Sequence, residues 1–324
     1  MAEEVNIIAQ PKRLDKYSYS KISSYGQCKL KFKLQYLDKN YLFSSSIATE
    51  FGTLTHECEE AIAIALQAGQ PINYIALKNY FILGCRKLAH KYPEDWVKLD
   101  KSGRTYQEKM YLYIESAIYR LERFMLKNPY LEIIGIEQKF EYDYDGVHSF
   151  TGSIDRAFRN KLTGEILIQD IKTWPVPAQN SELKAPAQFT VYAMAAQQLW
   201  GVTADKIKCE YDLPLCDLRQ PSLSNDIIAD GKPQLDKWFA GITKGDFKPT
   251  VSALCAWCQY NPLSNPSILE TKPGAICPYF STWQKSGDNV RDTLCKWEGI
   301  ENVDIDRQFI ISQLRQSNIN LKTT

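Results

Sequence analysis

The chain has 324 residues, 44% of them hydrophobic and 24% charged, the make-up of a globular protein with room for one large domain or a core with appendages. Its formal net charge is +1, so no overall basic character marks it as a nucleic-acid binder, and positive charge used for that purpose must be concentrated locally. No apolar run approaches the roughly 18 residues that span a bilayer, and Met1 to Lys16 is polar without the apolar core of a signal peptide, so a cytoplasmic setting is expected, or a host cytoplasm for a viral chain.

Taken in order, Tyr19 to Leu37 reads as a basic, aromatic helix that opens on serines. Phe51 to Ala68 carries Leu54, Cys58, Ala61, Ile62 and Ala65 at helical spacing. Pro71 opens a helix to about Tyr92, and Tyr106 to Lys127 reads as one long helix stopped by Asn128–Pro129. The texture then changes. Leu131 to Tyr144 alternates and is rich in Ile, Phe and Tyr, Asp145–Gly146 is a hairpin turn signal, and Val147 to Arg159 is the returning strand. After a second turn, Lys161 to Glu165, a third strand from Ile166 to Thr173 is apolar enough to be central in a sheet. A helix from Ala185 to Trp200 and a fourth strand from Lys206 to Leu215 follow. Lys248 to Tyr279 is rich in Pro, Asn and Cys and reads as irregular, and a last helix is expected from Asp304 to Arg315. The order predicts an α+β fold: a mixed sheet of about four strands flanked by helices. It divides into a helical region over 1–130, a core over 131–247 and a cysteine-rich segment over 248–324, together one integrated domain.

The sharpest chemical signal lies on the second and third strands, in Gly152-Ser-Ile-Asp155-Arg156 and Gln169-Asp170-Ile171-Lys172-Thr173. Asp155 and Asp170 fall on adjacent strands of a predicted hairpin. Asp170 and Lys172 are two apart and so share a face. Two carboxylates beside one ammonium suit phosphodiester hydrolysis. Carboxylates bind hard cations such as Mg²⁺ or Mn²⁺, such a cation activates water, and a lysine steadies charge in the transition state. Asp170 also follows Ile166-Leu-Ile168, and a carboxylate near so apolar a run must be paired or bind metal.

At these residues the chain resembles the RecB-type branch of the PD-(D/E)XK nucleases, which includes nuclease domains of recombination helicase–nucleases and small CRISPR-associated nucleases. The resemblance runs from about Tyr19 to Tyr279. It begins with Tyr19-Ser20-Lys21-Ile22-x-x-Tyr25-x-x-Cys28 and continues with Gly52-Thr-Leu-Thr-His56 and Ile136-Glu137-Gln-Lys-Phe140. It includes the two aspartates and the lysine, then Gln188-Phe-Thr-Val-Tyr192. It implies a restriction-endonuclease-like core in which Lys172 is the catalytic lysine. His56, Asp155, Asp170 and the Ile171 carbonyl are implied as metal ligands, Glu137 as the glutamate of the first core strand, and Gln188 and Tyr192 as residues that shape the site. The second acid is Asp where many relatives have Glu, and both bind metal.

In a reducing compartment nine cysteines do not suggest a disulfide framework. Cys255-Ala-Trp-Cys258 is a close pair, Cys277 precedes a proline, and Cys28 stands on the first helix. Four thiolates suit a [4Fe–4S] cluster or a structural zinc. The resemblance implies the cluster, since relatives place one cysteine before the core and three after it. The gap between Cys258 and Cys277 is longer than is usual there, which reads as an inserted loop from Gln259 to Ile276 and leaves Cys277 or Cys295 as the fourth ligand, with Cys277 favoured by Pro278.

The expected function is a metal-dependent deoxyribonuclease, an exonuclease on DNA ends or single strands in recombination, repair or processing. A catalytically silent DNA-binding or scaffold protein and a structure-specific endonuclease are the alternatives. The aromatic and basic first helix, with Lys29, Lys31, Phe32, Lys33 and Tyr36, is a candidate guide for a strand. No Gly-x-x-x-x-Gly-Lys-[Ser/Thr] phosphate loop is present, so a helicase or recombination partner would be a separate protein.

Overall fold

Ser46, Asn73 and Thr105 each start a helix by accepting from one of its first free amides, and strands meet where turn residues bring them back. A computed structural model describes residues 15–277 apart from 43–44, 185–186, 251, 263 and 266. The expected helix at Asp304–Arg315, Cys295 and Pro278 lie outside these residues. The helices are α1 (Tyr19–Gln27), α2 (Lys29–Phe32), α3 (Ile47–Gln67), α4 (Tyr74–Lys91), α5 (Pro93–Val97), α6 (Tyr106–Glu115), α7 (Arg120–Lys127), α8 (Asn180–Lys184), α9 (Ala187–Trp200), α10 (Ile227–Thr243) and α11 (Ile268–Thr271). The strands are β1 (Asp15–Tyr17), β2 (Leu131–Asp143), β3 (His148–Asn160), β4 (Ile166–Ile171), β5 (Ile207–Leu213) and β6 (Leu218–Pro221). The α+β class holds, with six strands in the mixed sheet where about four were expected.

Several boundaries move for identifiable reasons. The Ser46 hydroxyl accepts from the Thr49 amide, so α3 begins at Ile47, a turn before Phe51. Thr105 and Glu108 form a capping box at the start of α6. The single helix expected over Tyr106–Lys127 is broken by a tighter turn over Ala117–Tyr119. The expected first helix is broken at Cys28, whose backbone is extended, and its last turn, Lys33–Leu37, is wound as a π-helix.

The chain divides into two compact units, one of residues 1–19 and 45–236 and the other of 20–44 and 237–324. The first holds the sheet. Asp145 makes the β2–β3 turn by accepting from the amides of Val147 and His148, and Gly146 adopts a left-handed φ of 75°. β2 pairs antiparallel with β3 along almost its whole length. On its other edge β3 pairs parallel with β1 through His148–Phe150 and antiparallel with β4 through Arg156–Arg159. Residues 151–155 therefore lie between two partners on that edge, and Asp155 is the last of them. β4 continues parallel to β5, and β5 antiparallel to β6. A core of α3, α4, α6 and α7 side chains, including Phe51, Phe81, Tyr113 and Leu121, packs with Ile133 and Phe158 of the sheet.

The second unit has a smaller core of Leu34, Tyr260, Ile268, Ala275 and Ile276. Gly26 and Gly241 let α1 and α10 approach closely, since a Cβ at Gly26 would overlap the Trp238 ring and one at Gly241 the Tyr25 hydroxyl. Among the described residues no helix is long and apolar enough to cross a membrane.

Candidate active site and cysteine centre

The end of β4 brings the expected residues together. Asp155 and Asp170 are neighbours across β3 and β4, and an Asp155 carboxylate oxygen accepts from the Ile171 amide at 2.7 Å. Lys172, just past β4, keeps its amide on the sheet through the Asp212 carbonyl at 2.9 Å. Its ammonium lies 2.6 Å from Asp170 Oδ2. That oxygen is buried and accepts no well-oriented hydrogen bond among the described residues. Asp170 Oδ1 accepts from Gln188 Nε2 at 2.8 Å and faces the Tyr192 hydroxyl at 3.3 Å; both donors stand one turn apart on α9. Gln188 also donates to Tyr192 at 3.0 Å.

His56 enters from α3. Its Nε2 lies 3.0 Å from the Ile171 carbonyl oxygen, and its Nδ1 lies 3.7 Å from Asp155 and 4.0 Å from Glu137. Glu137 stands opposite Asp155 in the β2–β3 register and takes a left-handed φ of 42°, a conformation that costs a non-glycine residue about 1–3 kcal/mol. Ser153 donates to its carboxylate at 2.9 Å.

His56, Glu137 and Asp155 each offer an atom within 4.8 Å of the others, and among the described residues this is the group of that kind. It differs from the expected set. Glu137 joins the possible ligands, while Asp170 is engaged by Lys172, Gln188 and Tyr192. The donor set fits a divalent cation. Imidazole, carboxylate and carbonyl donors suit Mg²⁺ or Mn²⁺, and in the structure the Ile171 oxygen is hydrogen-bonded to His56 Nε2 at 3.0 Å. Electrostatics agree. Burial and the charge of Asp170 push the Asp155 carboxyl up to about 7. For His56, burial favours the neutral ring, but Glu137, Asp155 and Asp170 outweigh it and raise its pKa. Glu137 is lowered, first by His56. Three carboxylates thus share one ammonium and one imidazole.

Two features were not legible in the motifs. Tyr19 reaches this region, its hydroxyl pushed up to about 12 by burial and by Asp170. Beneath the site lies a buried ion network. Arg156 binds Glu59 at 3.1 Å and Asp212 at 2.6 Å, and its Nε donates to the Gln169 side-chain oxygen at 2.9 Å. Arg120 binds the other oxygen of Asp212 at 2.8 Å, and Asp217. An arginine between Asp155 and the apolar Ala157-Phe158 was the available signal.

In the second unit Cys28, Cys255, Cys258 and Cys277 all line one cavity of about 180 Å³, together with Gln27, Lys31 and Trp257. None is in a disulfide. The Cys277 amide donates to the Tyr260 carbonyl at 2.8 Å, and the Asn261 amide to that of Cys258 at 2.9 Å, so the stretch from Gln259 to Ile276 is built into the small core rather than looped out. Burial raises the Cys258 thiol; the Tyr260 amide and Lys31 oppose this, and Cys28 and Cys255 add to it.

An α+β sheet with two acids and a lysine at the end of a central strand defines a nuclease core. The chain belongs to the PD-(D/E)XK nuclease superfamily, whose sequence profile matches residues 16–263. No curated protein matches it. Membership makes it a protein of a class of metal-dependent nucleases that act on DNA.

Proposed function

We propose that this protein is a deoxyribonuclease of the RecB-type branch, an exonuclease on DNA ends or single strands in recombination, repair or DNA processing, working beside a separate unwinding partner. The observation that carries the reading is the surplus of carboxylate over cation at His56, Glu137, Asp155 and Asp170, with Lys172 held against them. His56, Glu137, Asp155 and the Ile171 carbonyl are the residues that would hold Mg²⁺ or Mn²⁺, with Asp170 at their edge. A bound divalent ion there polarises a phosphoryl oxygen and acidifies water. The residues of the chain do the remaining work. Lys172 presents an ammonium to the scissile phosphate and orients the attacking water. Gln188 and Tyr192 fix Asp170, and Ser153 fixes Glu137, so that the carboxylates do not turn away when substrate arrives.

Cys28, Cys255, Cys258 and Cys277 are proposed to hold a [4Fe–4S] cluster. A tetrahedral zinc with sulfurs at about 2.3 Å draws its thiolates within about 4 Å of one another. The four thiols line one cavity, and the arrangement of one cysteine before the core and three after it supports the cluster over zinc.

Cleavage of end-labelled linear and circular DNA with Mg²⁺ or Mn²⁺ tests the reading, with Lys172→Ala beside the unaltered protein. Degradation of linear but not circular DNA, reduced about a thousandfold or more by the substitution, is expected. Lys172-dependent cutting of circles makes it an endonuclease, and no Lys172-dependent cleavage with either ion makes it a binding or scaffold protein. Iron and sulfide content with a visible absorption band lost in Cys258→Ser is expected for the cluster; a colourless protein holding zinc overturns it.

A further inference from the structure

A second basic site lies in the first unit, among residues that the catalytic group does not use. A polar cleft of about 550 Å³ is lined by Arg120, Arg123, Lys127 and Arg219, with Asp217 as the one acid and Phe124 as an apolar wall. The chain as a whole is nearly neutral, so four cations around one cleft are the local concentration of charge that phosphate binding needs. Arg123 and Lys127 are exposed and one turn apart on α7, and neither is paired with a carboxylate among the described residues. The Arg219 guanidinium carbon lies over Phe124, 4.2 Å from the ring centre.

Two of the four cations are held from within the protein. The Nε of Arg120 and the Nε of Arg219 are buried and make no hydrogen bond among the described residues. Arg120 itself is 5% exposed. Arg219 Nε is 3.7 Å from Asp212 and 4.0 Å from Glu210, beyond hydrogen-bond length. Its pKa is lowered, by burial first and with the repulsion of Arg120 and Arg156 contributing. An oxyanion in the cleft would offset the repulsion between Arg120 and Arg219.

We propose that this cleft binds phosphodiester groups of the nucleic-acid substrate outside the catalytic centre, a docking site that holds the strand while its end is processed. The proposal rests on the nuclease reading. Arg123 and Lys127 meet the phosphates from the solvent side, and Arg219, held over Phe124, offers a guanidinium fork to a single phosphate.

The test uses Arg123→Glu/Lys127→Glu, two exposed positions, since truncation of Arg120 or Arg219 would disturb the buried network. DNA binding is measured on the full chain in a Lys172→Ala background by fluorescence anisotropy, between about 50 and 200 mM salt, with single-stranded and duplex DNA. The expected result is binding weakened about tenfold, a salt slope shallower by roughly 1.4 to 1.8, and an unchanged melting temperature. In the active background KM rises and kcat at saturation holds. Equal affinity and equal slope in the two proteins overturn the docking site while Lys172-dependent cleavage leaves the nuclease reading standing. Stabilisation of the parent but not the variant by inorganic phosphate, with DNA binding equal in both, makes the ligand a free anion and overturns the nucleic-acid assignment. A parent that neither binds nor cuts DNA overturns both.

Discussion

Asp155 and Arg156 are neighbours on β3, and Gln169 and Asp170 are neighbours on β4, so each pair sends one side chain to either face of the sheet. On one face Arg156 meets Glu59, Asp212 and Gln169, and Arg120 closes the network from α7. The two guanidiniums answer Glu59, Asp212 and Asp217 there, and the geometry is that of hydrogen-bonded ion pairs. On the other face Glu137, Asp155 and Asp170 have only Lys172 and His56. The first face is buried and its carboxylates are matched by guanidiniums, while on the second, partly open face burial and the charge of Asp170 push the Asp155 carboxyl up to about 7. The difference teaches that buried charge is structural when its partners are already in the chain and functional when a cation is still required.

Breaking the complete face has the largest effect on folding. Asp212→Asn leaves Arg156 and Arg120 short of a carboxylate, and a loss of about 3–5 kcal/mol in unfolding free energy is expected from denaturant titration. A loss under 1 kcal/mol would mean that the network is solvated. Breaking the incomplete face does the reverse. Asp155 has its folded pKa raised above that of the unfolded chain, so its contribution to stability is fully present below the unfolded value of about 4 and is lost as pH rises through about 7. Glu59 and Glu210 are also raised, first by burial, so the comparison is made with Asp155→Asn. Metal-free protein is expected to lose stability between about pH 4 and about pH 7 more steeply than Asp155→Asn does. Parallel melting curves across that range would show that the carboxyl is not perturbed. The smallest effect belongs to Gln188→Ala, which frees one oxygen of Asp170; a roughly tenfold fall in kcat with little change in KM is expected, and a change in KM alone would place Gln188 on the substrate instead.

Much of the site was legible because strands have a period of two. Turn signals at Asp145–Gly146 and Lys161–Glu165 set β3 against β4, and the alternation then placed Asp155, Asp170 and Lys172 together. Position in the β2–β3 register brought Glu137 opposite Asp155, but its turn toward His56 depends on a left-handed backbone that no side-chain pattern announces. The strands β1 and β6 were missed because three or four residues are too few for a periodic signal. Helix α10 was missed because Gly231 and Pro233 read as breakers, although the helix runs through Pro233. The buried network was invisible for another reason. Glu59, Arg156 and Asp212 are far apart in the chain, and only the fold makes them neighbours.

The central claim is that the incomplete face is completed by a divalent cation. Calorimetric titration of Mn²⁺ into the Lys172→Ala protein, in parallel with Asp155→Asn in the same background, tests it most directly because it does not depend on cleavage. Binding is expected at pH 8, weaker by about tenfold per unit as pH falls below 7, where a proton must leave Asp155, and lost in Asp155→Asn. Absence of binding at pH 8, or equal binding by Asp155→Asn, would contradict the account.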